Sequence, residues 1–359
     1  MNNLKIMNAF LTEILRPTVK SSETLKYRVA FMVNLYNSIG ETSIDLSYLT
    51  KKRAVMKFVR SSDNTATQRT RLMHIIKTID ADPSKLIPSS IKDYYGNIAF
   101  NLKRKIKEDV ENNVMTNAQK ERYLPYVQLQ KMLEEQVQKL FNDYQIPYDA
   151  IDKATIQKYS ITNAGYTKNI FTFAKQLQDI TLLACYIWQP PIRNNYSGLI
   201  LTHKSIGLTN DKNWIQLKKR KDSKLSDMNL ILNNFKNSKY MGKTTIKVMP
   251  KLADLMSIWI SLLDLIYSDK VVKPFQYTIN SRGKVQLIEY VQTTSRTIPR
   301  ISEKLFGRPL TINDYRHIAE SALQTSDEYK NMTLAERKAK HGEMLHSLEV
   351  AQTYMKHDR

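Results

Sequence analysis

The stretch from residue 101 to 123, NLKRKIKEDVENNVMTNAQKERY, limits what this chain can fold into more than any other segment does. It is dense in charge and carries no strong apolar face after Ile106, so one hydrophobic core cannot run through it. The apolar residues must be buried in two bodies, one on each side, which a length of 359 residues also favours. The expected organisation is a leader over 1–20 closed by Pro17, a helical domain over 21–115, a linker over 116–125, and a second domain over 126–359.

Before the linker the pattern is helical, with apolar residues recurring at three and four in SETLKYRVAFMVNLYNSI, SYLTKKRAVMKFVRSS and TATQRTRLMHIIKTI. The third segment follows Ser61, Ser62, Asp63 and Asn64, whose short polar side chains suit a helix cap. Its back is Leu72, Ile75, Ile76 and Ile79, and its start carries Gln68, Arg69 and Arg71. Such a helix can enter a major groove, where these side chains reach bases and phosphates, or can simply cover a core. The basic run Lys103, Arg104, Lys105 and Lys107 can clamp a phosphate backbone or merely face solvent.

After the linker, YVQLQKMLEEQVQKLFNDY and YTKNIFTFAKQLQDITLLACYIW read as helices, the second stopped by Pro190 and Pro191. Strands are expected at Leu199–Thr202, Met228–Asn233 and Thr244–Val248, the last two joined in a hairpin through NSKYMGK, where Gly242 suits the turn. An insertion between the first two holds Lys218, Lys219, Arg220 and Lys221 in a row. LADLMSIWISLLDLIYS reads as a buried helix and QLIEYVQTTSRTIPRISEKLF as another. Thr311 with Asp314, and Thr333 with Glu336, are capping boxes. The first of them is expected to put Arg316 and His317 in an opening turn, where free backbone donors favour phosphate. The expected fold class is mainly α with a small antiparallel β-sheet, that is, α+β.

Fifty-five Lys and Arg stand against 34 Asp and Glu, a formal net charge of +21, so a polyanion is the expected partner and nucleic acid the first candidate. No run of 18 apolar residues is present, and the N-terminus lacks a long apolar stretch with a cleavage site, so neither a membrane span nor secretion is expected. Cys185 is the single cysteine, which excludes an intramolecular disulfide and a multi-cysteine zinc site and points to the cell interior. There is no HExxH, no acidic cluster and no GxxxxGK[ST] loop, so no metal, no other cofactor and no ATP-driven step are expected.

The phrases PPIRNNYSGL, NSKYMGKTTIKVMP, INDYRHIAES and HSLEVAQTY stand in this order. Together they resemble the tyrosine recombinase (phage-type integrase) family, most of all the recombinases of mobile elements and of large DNA viruses or their virophages. The resemblance covers most of the chain and implies a helical core-binding domain followed by a catalytic domain. It implies that Tyr354 attacks a DNA phosphodiester and becomes joined to the 3′-phosphate, conserving the bond energy for religation. It implies that Arg193 and Arg316 grip the phosphate with planar forks, that His346 donates to a nonbridging oxygen, and that a hairpin lysine protonates the leaving 5′-oxygen. That lysine is Lys239 in the first instance, with Lys243 as the alternative.

Several positions depart from the family pattern. Asn313 stands where His or Lys is common, Leu345 where glycine precedes the last histidine, and Tyr196 where many members place Glu. The histidine and tyrosine are 354 − 346 = 8 residues apart where nine is common, and His341 is a fallback histidine at another spacing. The resemblance further implies specific double-stranded DNA sites, a homodimer on each site and a homotetramer in the synapse, with the DNA clamped between the two domains. Its expected place is wherever element or viral DNA is handled, in cytoplasm or nucleus, or packaged in a virion. A type IB topoisomerase uses the same chemistry, but Val350 and Ala351 stand where such enzymes carry Ser-Lys. A recombinase-derived DNA-binding protein impaired in catalysis is the other alternative, with Asn313 as its mark.

Overall fold

The computed structural model describes residues 3–112, 115–146, 170–204, 207–220, 226–267, 271–280, 284–287 and 293–355. The chain divides into two compact units, Met1–Asn112 and Asn113–Arg359, each with a hydrophobic core of its own.

The first unit contains α1 (Asn3–Leu15), α2 (Ser22–Ile39), α3 (Lys52–Val59), α4 (Thr65–Ala81) and α5 (Ser89–Glu111). Residues 1–20, expected as a leader, instead contribute α1 to this core: Met7, Leu11 and Leu15, spaced at four, are fully buried in one cluster with Met32, Leu35 and Tyr36 of α2. Helix α2 ends at Gly40, whose φ of 75° is the left-handed conformation that a residue without Cβ adopts freely. Helix α4 starts where its caps indicate, with the Asn64 side chain accepting from Thr67 N at 2.9 Å.

The basic front of α4 is used differently from the expectation. Gln68 Nε2 donates to Ser62 O (2.7 Å), and Arg71 Nη1 donates to Phe58 O (2.8 Å), Val59 O (3.2 Å) and Ser61 Oγ (2.8 Å). Two of the three side chains proposed for groove contact therefore fasten α4 to the end of α3, whose last carbonyls have no partner within their own helix. Arg69 is half-buried, and its Nε has no acceptor among the described residues. Lys103, Arg104 and Lys105 are exposed on α5.

The second unit opens with α6 (Asn117–Arg122), α7 (Tyr126–Tyr144) and α8 (Ile170–Ile187). The segment expected as a linker therefore contains a short helix, started by a full capping box between Thr116 and Gln119. Helix α8 buries 12 of its 18 residues, and Tyr126 Oη caps its end by donating to Ile187 O at 2.6 Å. A four-stranded sheet follows in the order β1 (Ile200–Thr202), β2 (Trp214–Lys219), β3 (Ser226–Leu232) and β4 (Thr244–Lys247). Strands β1 and β2 are parallel and the other pairs antiparallel, so the sheet is mixed rather than antiparallel as expected.

Strand β2 is the element the sequence concealed, because its alternation runs straight into the basic row and reads as an insertion. Its Ile215 and Leu217 are buried opposite Leu230 and Met228 of β3. That face packs on α10 (Pro250–Ile266), a helix with most of its residues buried. The connection from β3 to β4 is not a tight hairpin. It holds a one-turn helix, α9 (Ser238–Met241), ended at Gly242 with φ 70°, and so Lys239 is helical.

Strands β5 (Tyr277–Ile279) and β6 (Val285–Leu287) form a separate antiparallel pair. Residues 286 and 287, expected as the start of a helix, belong to β6, and helix α11 runs over Thr293–Phe306. The chain then continues through α12 (Ile312–Thr325), α13 (Asp327–Asn331), α14 (Leu334–Glu343) and α15 (Leu348–Gln352). No helix among the described residues is long and apolar enough to cross a membrane.

Candidate active site

Four segments of the second unit converge on Tyr354. The first is the turn after α8, where Pro190 and Pro191 end the helix and deliver Arg193. Gln189 anchors that turn from inside: its Nε2 donates to Lys247 O (3.3 Å) and its Oε1 accepts from Met249 N (3.0 Å). Tyr186 Oη donates to Arg193 O at 3.4 Å, and the Tyr186 and Tyr196 rings meet edge-on with centroids 5.1 Å apart. Tyr196 thus supports the Arg193 loop by packing.

The second segment is α12. Both capping-box contacts form at its start, where Thr311 Oγ1 accepts from Asp314 N (3.2 Å) and Asp314 Oδ2 accepts from Thr311 N (2.9 Å). Asp314 also pairs with Arg122 at 3.3 Å. The opening turn is therefore already capped, and Arg316 and His317 fall in the next turn instead. From there Arg316, Glu320 and Gln324 follow at i, i+4 and i+8, one stripe on one helix face.

The third segment is the loop between α14 and α15. Leu345 has φ 58°, the left-handed backbone that favours glycine. Its side chain is buried in the core, which offsets the conformational cost. Asn237, the residue that opens α9, donates from Nδ2 to Leu345 O at 3.3 Å, which ties the Lys239 helix to this loop. The fourth segment is the end of α15, capped at its start by Ser347, after which the chain turns to present Tyr354.

At the centre Arg316 (1% exposed), Glu320 (0%), His346 (1%) and Tyr354 (8%) are buried together. Arg316 Nη1 donates to Pro191 O (2.6 Å) and Met344 O (2.9 Å), and its Nη2 lies 2.9 Å from His346 Nδ1. The Arg316 guanidinium sits over the Tyr354 ring at 4.9 Å, and the His346 ring stacks on it at 5.2 Å and 21°. His317 Nδ1 is 2.7 Å from Tyr354 O and so donates to it, since a carbonyl only accepts. Arg193 Nη2 reaches the Tyr354 hydroxyl at 3.5 Å, the outer limit of a hydrogen bond.

Burial pushes the Arg316 pKa down, and the Arg193 charge adds to that, so two like charges press on one phenolic oxygen. Arg193 Nε and Arg316 Nε are both buried with no hydrogen-bond acceptor among the described residues, and the Nε atoms of Arg28, Arg69 and Arg122 share that state. What sets Arg193 and Arg316 apart is that both guanidinium groups lie against Tyr354, an arrangement in which an anion could be held.

The proton inventory of His346 follows from its neighbours. Arginine only donates, so Nδ1 must accept, and the proton sits on Nε2, 3.0 Å from Glu320 Oε2. Burial holds the His346 pKa down, consistent with a neutral ring. Burial alone would raise Glu320, but hydrogen bonds from His341, His346 and Gln324 outweigh it and hold the carboxyl down to about 2. Glu320, His341 and His346 bring three possible ligand atoms within 4.8 Å of one another. Distances would admit a cation, but ligation through Nε2 while Arg316 donates to Nδ1 would require an imidazolate, so the proton arrangement disfavours one.

Of the residues expected in the site, Arg193, Arg316, His317, His346 and Tyr354 come together. His346 differs from expectation in that both ring nitrogens are engaged within the protein. Asn313 is exposed at the start of α12, and Lys239 and Lys243 are exposed with no hydrogen bond or ion pair to the cluster. Arg220 is paired with Asp227 (2.8 Å) and Asp254 (2.9 Å), so its charge is spent within the fold. Lys218 is exposed on β2, Lys219 closes that strand, and Lys221 lies outside the described residues. Sequence reasoning missed Glu320 and Gln324, although their spacing from Arg316 was the available signal. No family model, curated protein or solved structure matches this chain.

Proposed function

We propose that this chain cleaves and rejoins double-stranded DNA through a covalent 3′-phosphotyrosine at Tyr354, as a site-specific recombinase or integrase does. The observation that carries the reading is the convergence of two arginines on one tyrosine, Arg193 Nη2 at 3.5 Å from the Tyr354 hydroxyl and the Arg316 guanidinium at 4.9 Å over its ring, in a chain of net charge +21. A phosphodiester satisfies both guanidinium groups and brings its phosphorus within reach of Oη. Tyr354 Oη bonds to phosphorus and gives its phenolic proton to solvent water, while the P–O bond to the 5′-oxygen breaks and that oxygen takes up a proton. Arg193 and Arg316 stabilise the charge that builds on the phosphoryl oxygens. Lys239, carried by the helix anchored at Leu345 O, is the proton donor for the leaving oxygen, with Lys243 as the alternative. Exposed Lys103, Arg104, Lys105 and Lys218 add phosphate contacts, and the working form is a dimer on each site and a tetramer on two.

The test is a nicked suicide duplex bearing the element's terminal sequence, incubated in chelator without ATP. Wild type yields an SDS-resistant adduct and Tyr354→Phe yields none. A second reading, a binding-only derivative, is favoured by the exposed, uncontacted Lys239 and by Asn313 in place of a proton-transferring residue. Tight, salt-sensitive binding without any adduct would support that reading.

A further inference from the structure

Glu320 stands inside the phrase INDYRHIAES but has no role in what the resemblance implies, yet it is fully buried four residues from Arg316 and its carboxylate meets His346, His341 and Gln324. A carboxylate only accepts and a guanidinium only donates, so the ring between them has a single arrangement. We propose that Glu320 is a positioning residue that fixes His346 as its Nε2-protonated tautomer, and so holds Arg316 and the imidazole face on which Tyr354 stacks. The contacts are His346 Nε2 to Glu320 Oε2 at 3.0 Å and Arg316 Nη2 to His346 Nδ1 at 2.9 Å. With the other tautomer, an N–H on Nδ1 would face the Arg316 donors. Arg316 would then lose an acceptor and swing from the ring it covers.

Glu320 is itself held from the far side. Gln324 Nε2 donates to Glu320 Oε1 (2.8 Å) and to Ala351 O (3.1 Å), so the Ala351 carbonyl fixes which way the Gln324 amide points. His341 Nδ1 lies 2.9 Å from the same Oε1, and His341 Nε2 meets Tyr329 Oη at 2.7 Å. His341, the fallback for the phosphate-contacting histidine, therefore supports the carboxylate instead of facing Tyr354.

This arrangement predicts the outcome of Glu320→Gln. Gln324 keeps an oxygen opposite its own amide, so the new amide nitrogen faces His346 Nε2 and forces the proton to Nδ1. The experiment uses full-length protein with ¹⁵N-labelled histidine and long-range ¹H–¹⁵N spectra, with His346→Asn identifying the resonance. The expected wild-type signal has the unprotonated nitrogen at Nδ1, and in Glu320→Gln it moves to Nε2 or averages. Inorganic phosphate binding should weaken about 10-fold, and adduct formation on the suicide duplex should fall on the order of 10²-fold, the loss expected when a phosphate-gripping group is displaced by about 1 Å.

An Nδ1-protonated or doubly protonated His346 in wild type at neutral pH overturns the proposal, and that result does not depend on Glu320→Gln folding. Unchanged tautomer, phosphate affinity and adduct rate in a folded Glu320→Gln protein overturn it as well. The effect on adduct rate rests on the proposed DNA chemistry, whereas the tautomer does not. If wild type forms no adduct while the tautomer shifts as expected, the DNA reading fails and the positioning role stands.

Discussion

Replacing Arg316 with lysine keeps the positive charge and removes the fork. In the structure that fork joins Pro191 O, Met344 O and His346 Nδ1, and so closes the Arg193 turn onto the loop before His346. A lysine ammonium, on a shorter reach, can replace one of the three. Each hydrogen bond from a charged donor is worth about 1.5–3 kcal/mol, and the two lost leave buried acceptors that water reaches only after local opening. Partial relaxation reduces the sum, so the expected cost is about 3–4 kcal/mol, near the low end for breaking a buried charged network. All three tryptophans, Trp188, Trp214 and Trp259, lie in the second unit, so their fluorescence in a urea titration follows that unit alone. This matters because a chain of two units need not unfold in one transition. With a urea slope of roughly 2–3 kcal/mol per M for a unit of this size, the midpoint should drop by about 1–2 M. A midpoint within about 0.3 M of wild type would refute the claim that this guanidinium holds the site together.

Other consequences follow from the same contacts. Glu320 is held down to about 2 against an ordinary 4.5, and a depressed carboxylate stabilises the fold above its unfolded pKa. That contribution, about 3 kcal/mol, should be present above pH 4.5 and disappear as the pH falls toward 2. His346, held below 6.5, adds loss in the same direction as acid protonates it in the unfolded chain. Urea midpoints across acid buffers should show this limb, and Glu320→Gln should flatten it. Leu345→Gly relieves a left-handed leucine worth about 1–2 kcal/mol but removes a buried side chain whose loss costs about 3–5 kcal/mol, so it should destabilise the second unit by about 2–3 kcal/mol in the same titration. Arg220→Ala should leave the salt dependence of DNA binding nearly unchanged because Asp227 and Asp254 already take its charge. Replacing Lys103 and Lys105 together should lower the slope of log affinity against log salt by roughly 2, read by fluorescence anisotropy.

The parts of the site that chemistry dictates were visible in the linear sequence. Thr311 and Asp314 announced the start of α12, Pro190 and Pro191 the end of α8, and the order of Arg193, Arg316, His346 and Tyr354 brought out four side chains that the fold assembles. What stayed hidden depended on three-dimensional context. Strand β2 was masked because its buried Ile215 and Leu217 run into a row of cations. Helix α1 looked like a leader because a core partner 20 residues away cannot be read from local periodicity. Arg71 and Arg220 looked like nucleic-acid contacts, and only geometry shows carbonyls and carboxylates consuming their donors. Glu320 escaped because a lone acidic residue in a basic chain reads as surface until its burial is known.

The central claim, that Tyr354 is the nucleophile, is tested most directly by locating the covalent bond. Trypsin cutting after Lys340 and Lys356 releases residues 341–356, a peptide with Tyr354 as its one tyrosine. After reaction with the suicide duplex and nuclease trimming, fragmentation mass spectrometry should find this peptide heavier by the residual nucleotide, with the added mass on Tyr354. A nucleotide found on any other residue, or duplex bound tightly with no modified peptide at all, would contradict the account.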